Sequence, residues 1–249
     1  MNITTIEQFQ ITSNFFSLTV AAMGAATAFL WLNRSAVSAP YRMAVTVSGL
    51  VTFIALYHYF KISVSWNEAY KIVDGALVAT GTPFNDAYRY VDWILTVPLL
   101  IVELILVMRL GKAETVSKSV RLGILAALMI AFGYPGEVSA DAGTRWMWWA
   151  LAMIPFLWIV IELLGGLKSS IDKQPASARG LINGASYLLI LSWAFYPVVF
   201  VLPMLGVEGS TAATYVQVGY SIADIVAKAV FGVLIFAIAV KKSEAEAHA

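Results

Sequence analysis

Seven long apolar runs constrain this chain more than any other feature. They cover residues 12–32, 41–63, 87–110, 118–136, 145–166, 179–203 and 213–240, and charged residues, Gly or Pro punctuate the gaps. A bilayer core about 30 Å thick takes roughly 20 apolar residues per helical crossing, and these runs have that length. Strands of an outer-membrane barrel are about 10 residues long and alternate in polarity, which these runs do not. In lipid each crossing segment must satisfy its own backbone polar groups, and a helix does so. The reading is an all-α membrane protein, a seven-transmembrane-helix bundle forming a single domain over residues 1–249. Composition points the same way: 60% of residues are hydrophobic and 12% charged, where a soluble domain carries about 25% charged residues. That excludes a soluble enzyme and a disordered chain. A net charge of +1 offers no basic field to a nucleic acid. The chain has no cysteine, hence no disulfide frame, and no metal site is expected. Residues 1–10 hold Glu7 and no Lys or Arg, so the first run is expected to be a retained span and not a secretion signal.

Basic residues fall on alternate connections. Arg34, Arg42, Arg109, Lys112, Lys118, Arg121, Lys168, Lys173, Arg179, Lys241 and Lys242 lie on one side, 11 of the 16 in the chain. Lys61, Lys71 and Arg145 lie on the other, with Arg89 near the start of the third span. The positive-inside rule puts the N-terminus outside and the C-terminus in the cytoplasm. The long connection, residues 64–86, contains Val73-Asp74-Gly75-Ala76, and Asp-Gly between apolar residues signals a small β-hairpin. An irregular loop is the other reading.

Ionisable residues inside a span are costly and mark function by default. Asp92 and Glu103 lie in the third span, and Asp224 and Lys228 in the seventh. A dozen apolar residues separate Lys228 from Lys241, so its amine cannot easily reach the interface. Asp224 stands at i−4 and shares its helix face. Two readings are open at this point: an ion pair that only fixes helix packing, or a lysine that forms a Schiff base with an aldehyde and keeps it protonated through nearby anions. In the third span Arg89, Asp92, Thr96 and Glu103 fall within about 60° of one stripe at 100° per residue. Asp92 and Glu103 are about 16 Å apart along the axis. A protonatable centre between them has an acceptor on the outer side and a donor on the cytoplasmic side. Glu103 could equally be a structural acid bonded to a backbone carbonyl.

The third span reads Arg89-Tyr90-Val91-Asp92-Trp93-Ile94-Leu95-Thr96-Val97-Pro98-Leu99-Leu100-Ile101-Val102-Glu103-Leu104. The fourth ends Phe132-Gly133-Tyr134-Pro135-Gly136-Glu137, the sixth carries Trp193-Ala194-Phe195-Tyr196-Pro197, and the seventh carries Asp224 and Lys228. Across all seven spans this resembles the microbial (type 1) rhodopsins, in particular the proteorhodopsin and xanthorhodopsin group of bacterial proton pumps. The resemblance implies that Lys228 binds all-trans retinal as a protonated Schiff base. It implies that Asp92 is counterion and primary proton acceptor, Asp224 the second counterion, Glu103 the cytoplasmic proton donor and Arg89 the gate arginine. Trp93, Trp193, Tyr196 and Pro197 line the retinal pocket in this reading; by themselves they read as ordinary core packing. In the group a histidine of the second span pairs with the acceptor aspartate and raises its pKa, which the resemblance carries onto His58 with Asp92 as its partner.

The triplet Asp92, Thr96, Glu103 is the outward proton-pump pattern of the group, unlike its sodium and chloride pumps. Leu100 stands where leucine goes with green absorption and glutamine with blue. Trp149 stands where carotenoid-binding relatives have glycine, so an antenna carotenoid is not expected. Glu208 is the lone acid between residues 201 and 213, so a paired-glutamate release group looks absent. The function implied is a light-driven outward proton pump, a transporter and not an enzyme, multi-pass in a bacterial plasma membrane. Its partners are protons, the lipid bilayer and copies of itself; the group forms trimers, pentamers and hexamers, of which the pentamer is favoured here. The alternative is a sensory photoreceptor, which has less need of a donor at Glu103. A secondary transporter with a buried Lys–Asp pair is a third class, but no internal repeat or broken helix supports it.

Overall fold

A computed structural model describes residues 3–207 and 209–248. Among them are seven helical spans long and apolar enough to cross a membrane. The elements are α1 (Ile6–Asn33), α2 (Arg42–Ala69), β1 (Tyr70–Val73), β2 (Ala76–Ala79), α3 (Ala87–Met108), α4 (Lys112–Glu137), α5 (Ala142–Ile161), α6 (Lys168–Asp172), α7 (Ala176–Val201), α8 (Ser210–Asp224) and α9 (Phe231–Ala247). The seventh span consists of α8 and α9 joined without a break by a π-type segment, Ile225–Val230. Glu208 lies outside the described residues.

Helix ends follow local chemistry. Thr5 and Gln8 form a capping box at the start of α1, each side chain meeting the other's backbone N–H. Asp141 accepts from the Thr144 N–H at 2.6 Å and starts α5. Hydrogen bonds from the Thr144 side chain and then its backbone hold this carboxyl below the usual range. Arg109 takes φ 55° and closes α3 in the left-handed region.

The hairpin forms at the Asp-Gly pair. β1 and β2 are antiparallel with Val73 opposite Ala76, and Asp74 (φ 50°) and Gly75 (φ 76°) are both left-handed, as a type I′ turn requires. The second helix runs six residues past its expected end, to Ala69. Trp66 explains this: it is buried, with Phe16 and Phe84 edge-on to its ring and Phe9 stacked on it, so packing carries the helix past its polar residues. The seventh span reaches Ala247, beyond the expected 240, because polar side chains of its last turns find partners across the bundle.

α3 is the most enclosed span and α4 the least. Leu100, Ile101, Leu104 and Ile105 of α3 pack in one core with Ile182 and Leu189 of α7 and Ile235 and Ile238 of α9. Leu18, Phe53, Ile154, Leu191 and Tyr215 are exposed around the outside, the apolar surface that a bilayer solvates. Any group carried on the inner stripe of α3 is therefore out of reach of lipid.

Candidate functional site

The i, i+4 spacing of Asp224 and Lys228 places both at the join of α8 and the π-type segment, on the inward face. Lys228 Nζ donates to Asp224 Oδ1 at 2.8 Å and to Asp92 Oδ2, on α3, at 2.5 Å. All three side chains are 1% exposed. Two hydroxyls hold Asp224 from outside this pair: Tyr196 donates to Oδ1 at 2.6 Å and Tyr59 to Oδ2 at 2.7 Å. The indole N–H of Trp93 lies 3.3 Å from Oδ1. Asp92 is less well supplied, since its Oδ1 has no hydrogen-bond partner.

Arg89, three residues before Asp92 on α3, is buried and does not bond to it. Its Nε donates to Asp86 Oδ1 at 2.7 Å, its Nη1 to the Tyr59 hydroxyl at 3.2 Å, and its Nη2 to Gln217. The guanidinium also lies over the rings of Phe16, Tyr59 and Tyr220 at 5.3–5.6 Å. Tyr59 thus bridges Arg89 and Asp224. Two cations, Arg89 and Lys228, balance Asp92 and Asp224 inside the bundle, the condition under which buried charges persist.

His58 is near Asp92 but not hydrogen-bonded to it. Its Nδ1 is 3.8 Å from Asp92 Oδ1 and 2.9 Å from the Ile54 carbonyl, so that carbonyl is its hydrogen-bond partner. Thr96 directs its hydroxyl to the Asp92 carbonyl at 2.9 Å, one turn back. Glu103 stands apart from the cluster: it is fully buried and neither carboxyl oxygen has a hydrogen-bond partner.

Beside Lys228 lies a cavity with about 90 Å³ open to the centre of a water-sized sphere. Trp93, Leu100, Trp193, Tyr196 and Pro197 all line it, with Trp149, Phe156 and Tyr220. Trp149 donates its indole N–H to the Pro197 carbonyl at 3.0 Å and so spans α5 and α7 along this wall. Lys228 is the one amine in an otherwise apolar and aromatic lining that Asp224 also reaches. An apolar, elongated molecule with an aldehyde at one end fits this donor set, which is the chemistry of retinal. The site was only partly visible in sequence. Tyr59 stands in the aromatic run Tyr57-His58-Tyr59-Phe60, where nothing in the sequence sets it apart. Gln217 and Tyr220, at i−7 and i−4 from Asp224, carried a usable signal of helical spacing, as did Asp86 at i−3 from Arg89.

Comparison with known proteins agrees with this geometry. The family described as bacteriorhodopsin-like protein matches residues 10–242. A green-light absorbing proteorhodopsin from the gamma-proteobacterium EBAC31A08 is 34% identical over 229 residues, covering 92% of this chain and 86% of the relative. The crystal structure of xanthorhodopsin, described as a light-driven ion pump with dual chromophore, is 49% identical with a TM-score of 0.94, covering 98% of this chain and 97% of that one. A thermophilic rhodopsin structure is 42% identical with a TM-score of 0.94 over 99% of both chains. A buried lysine between two carboxylates, a lined apolar cavity and these likenesses over nearly the whole chain together place it: the chain belongs to the bacteriorhodopsin-like family of microbial rhodopsins, alongside proteorhodopsin and xanthorhodopsin.

Proposed function

We propose that this protein is a light-driven outward proton pump of a bacterial plasma membrane, with its N-terminus outside and its C-terminus in the cytoplasm. The observation that carries the reading is the Lys228 nitrogen, held between Asp92 and Asp224 beside an apolar cavity. All-trans retinal, bound to Lys228 Nζ as a Schiff base, supplies visible absorption and a light-driven change of shape. Trp93, Leu100, Trp193, Tyr196 and Pro197 hold it, and Leu100 goes with green absorption. Trp149, bonded to the Pro197 carbonyl in the α5–α7 wall, stands where carotenoid-binding relatives have glycine, so no antenna pigment is expected.

Asp92 is the acceptor of the proton on Lys228 Nζ. Its Oδ2 is in direct contact with that nitrogen, and its Oδ1 is unpartnered and free to take up a proton. Asp224 is the poorer acceptor, because Tyr59, Tyr196 and Trp93 already donate to it. It remains the standing counter-charge. Arg89 separates the acceptor from the outer surface and tethers Asp86, so a proton that leaves Asp92 passes a fixed positive charge and does not readily return. Glu103, buried and without a hydrogen-bond partner, holds its proton until the Lys228 nitrogen has lost one, and then refills it from the cytoplasmic side. His58 adjusts how readily Asp92 takes and gives up its proton.

Two measurements test this. Expressed protein given all-trans retinal should develop a visible band, and illuminated cells should acidify the medium in a way that a protonophore abolishes. A pigment that leaves external pH unchanged would make the protein a sensor, and alkalinisation would reverse the direction.

A further inference from the structure

The face of the bundle bearing the C-terminus holds a second buried amine that the pump cycle above does not use. Lys242, near the end of α9, is 3% exposed. Its Nζ donates to the Val107 carbonyl at 2.9 Å, the Met108 carbonyl at 2.8 Å and Gln174 Oε1 at 2.7 Å. An ammonium has three N–H donors, so this one is fully used. The first two acceptors are among the carbonyls that every helix leaves free in its last turn, and a cation there also meets the negative end of the α3 dipole. The third is different. Gln174 lies between α6 and α7, is itself buried, and donates to the Ser170 carbonyl at 3.1 Å. One amine of α9 therefore joins the end of α3 to the segment that leads into α7. Around it, Tyr41 lies under the ammonium at 4.9 Å and donates to Glu246 at 2.5 Å, and Arg109 donates to the same carboxylate at 3.0 Å.

This tie sits directly beyond Glu103. Met108 follows Glu103 by five residues, about 8 Å along the axis. Leu104, Val107, Ile182, Ile235 and Ile238 are fully buried, and neither Glu103 oxygen has a hydrogen-bond partner. Resting on the reading of Glu103 as the cytoplasmic donor, water must reach it from this end, and α3, α7 and α9 must separate to let it in. We propose that Lys242 and Gln174 form a latch on this entrance. Closed, the latch keeps Glu103 dry. Parting α7 from α9 breaks the Lys242–Gln174 bond first, because the two carbonyl bonds stay within the α3–α9 pair.

The test uses the full-length, retinal-loaded protein in lipid, comparing Gln174→Leu, Lys242→Met and the double variant with the unsubstituted protein. Gln174→Leu is decisive, since it cuts the tie to α7 and leaves the α3 cap intact. In the dark, hydrogen exchange of residues 168–180 should quicken about tenfold or more in each variant, the loss expected for a buried charge-assisted bond. After a flash, proton uptake from the C-terminal side should quicken several-fold in Gln174→Leu, and the double variant should add little to either single one. Unchanged exchange in Gln174→Leu overturns the latch. Quicker exchange with unchanged uptake, or additive effects in the double variant, reduces Lys242 to a helix cap and overturns the gating role. No light-driven uptake in the unsubstituted protein would refute the pump reading, and the gating role with it, and is read independently of the dark exchange.

Discussion

Asp92 and Glu103 lie on the same inward stripe of α3, and each is at most 1% exposed. By position and burial they are alike; their partners make them different. Asp92 touches a lysine at 2.5 Å and lies 3.8 Å from a histidine, with a second aspartate and an arginine joined to it through Lys228 and Tyr59. Glu103 has no hydrogen-bond partner for either oxygen. A carboxylate beside a cation is stabilised in its charged form, whereas a lone one in an apolar site pays the full cost of desolvation. One helix therefore carries a carboxyl in contact with a cation and a carboxyl without a hydrogen-bond partner. The direction of transport in the proposed cycle rests on that contrast.

The strongest test removes the cation that defines the first half. Lys228→Ala should abolish the visible pigment, and leaving two buried carboxylates without their amine should cost about 3–5 kcal/mol of stability. A retinal-dependent band that survived this change would end the assignment of Lys228. Next, Asp92→Asn should cut light-driven acidification by a factor of about 100 or more, in line with the loss of a proton-transfer group. It should also move the band to longer wavelength, because a negative charge beside the Lys228 nitrogen is gone. Normal acidification by this variant would transfer the acceptor role to Asp224.

Glu103→Gln addresses the other half. The band should stay within a few nanometres of wild type, since Glu103 is about 16 Å from Asp92 along α3. Reprotonation of the Lys228 nitrogen should slow about 100-fold and slow further as pH rises, because protons must then come from bulk water. Azide, a small proton carrier, should partly restore it. Flash kinetics of wild-type rate at pH 8 would show that the two carboxyls do not divide the work as proposed. The smallest effect is expected from His58→Asn, which should shift the midpoint of the acid colour transition and leave reprotonation unchanged. His58 is 3.8 Å from Asp92 and bonded to the Ile54 carbonyl, so its influence acts through space. A fixed midpoint would remove His58 from the acceptor's environment.

Much of this was legible in the sequence because lipid leaves few choices. Runs of about 20 apolar residues must be helices, and Asp74-Gly75 could be read as a type I′ turn from the residue types alone. The spacing of Asp224 and Lys228 put them on one face, and Asp92, Thr96 and Glu103 on one stripe, by the helical period. These are local rules, and local rules survive without a partner.

What lies between helices had no such rule. That Tyr59 of α2 bridges Arg89 of α3 to Asp224 of α8, that His58 turns to its own backbone, and that Lys242 reaches Gln174 were decided by packing. Helix boundaries shifted for the same reason: Trp66 extends α2 and the partners of Lys242 and Glu246 extend α9, where composition alone suggested a stop. Sequence thus determined which groups are buried and on which face of their own helix. Only the tertiary structure decided which buried groups meet, because a hydrogen bond between two helices depends on their rotation and axial shift to within an ångström, and periodicity along one chain segment carries neither.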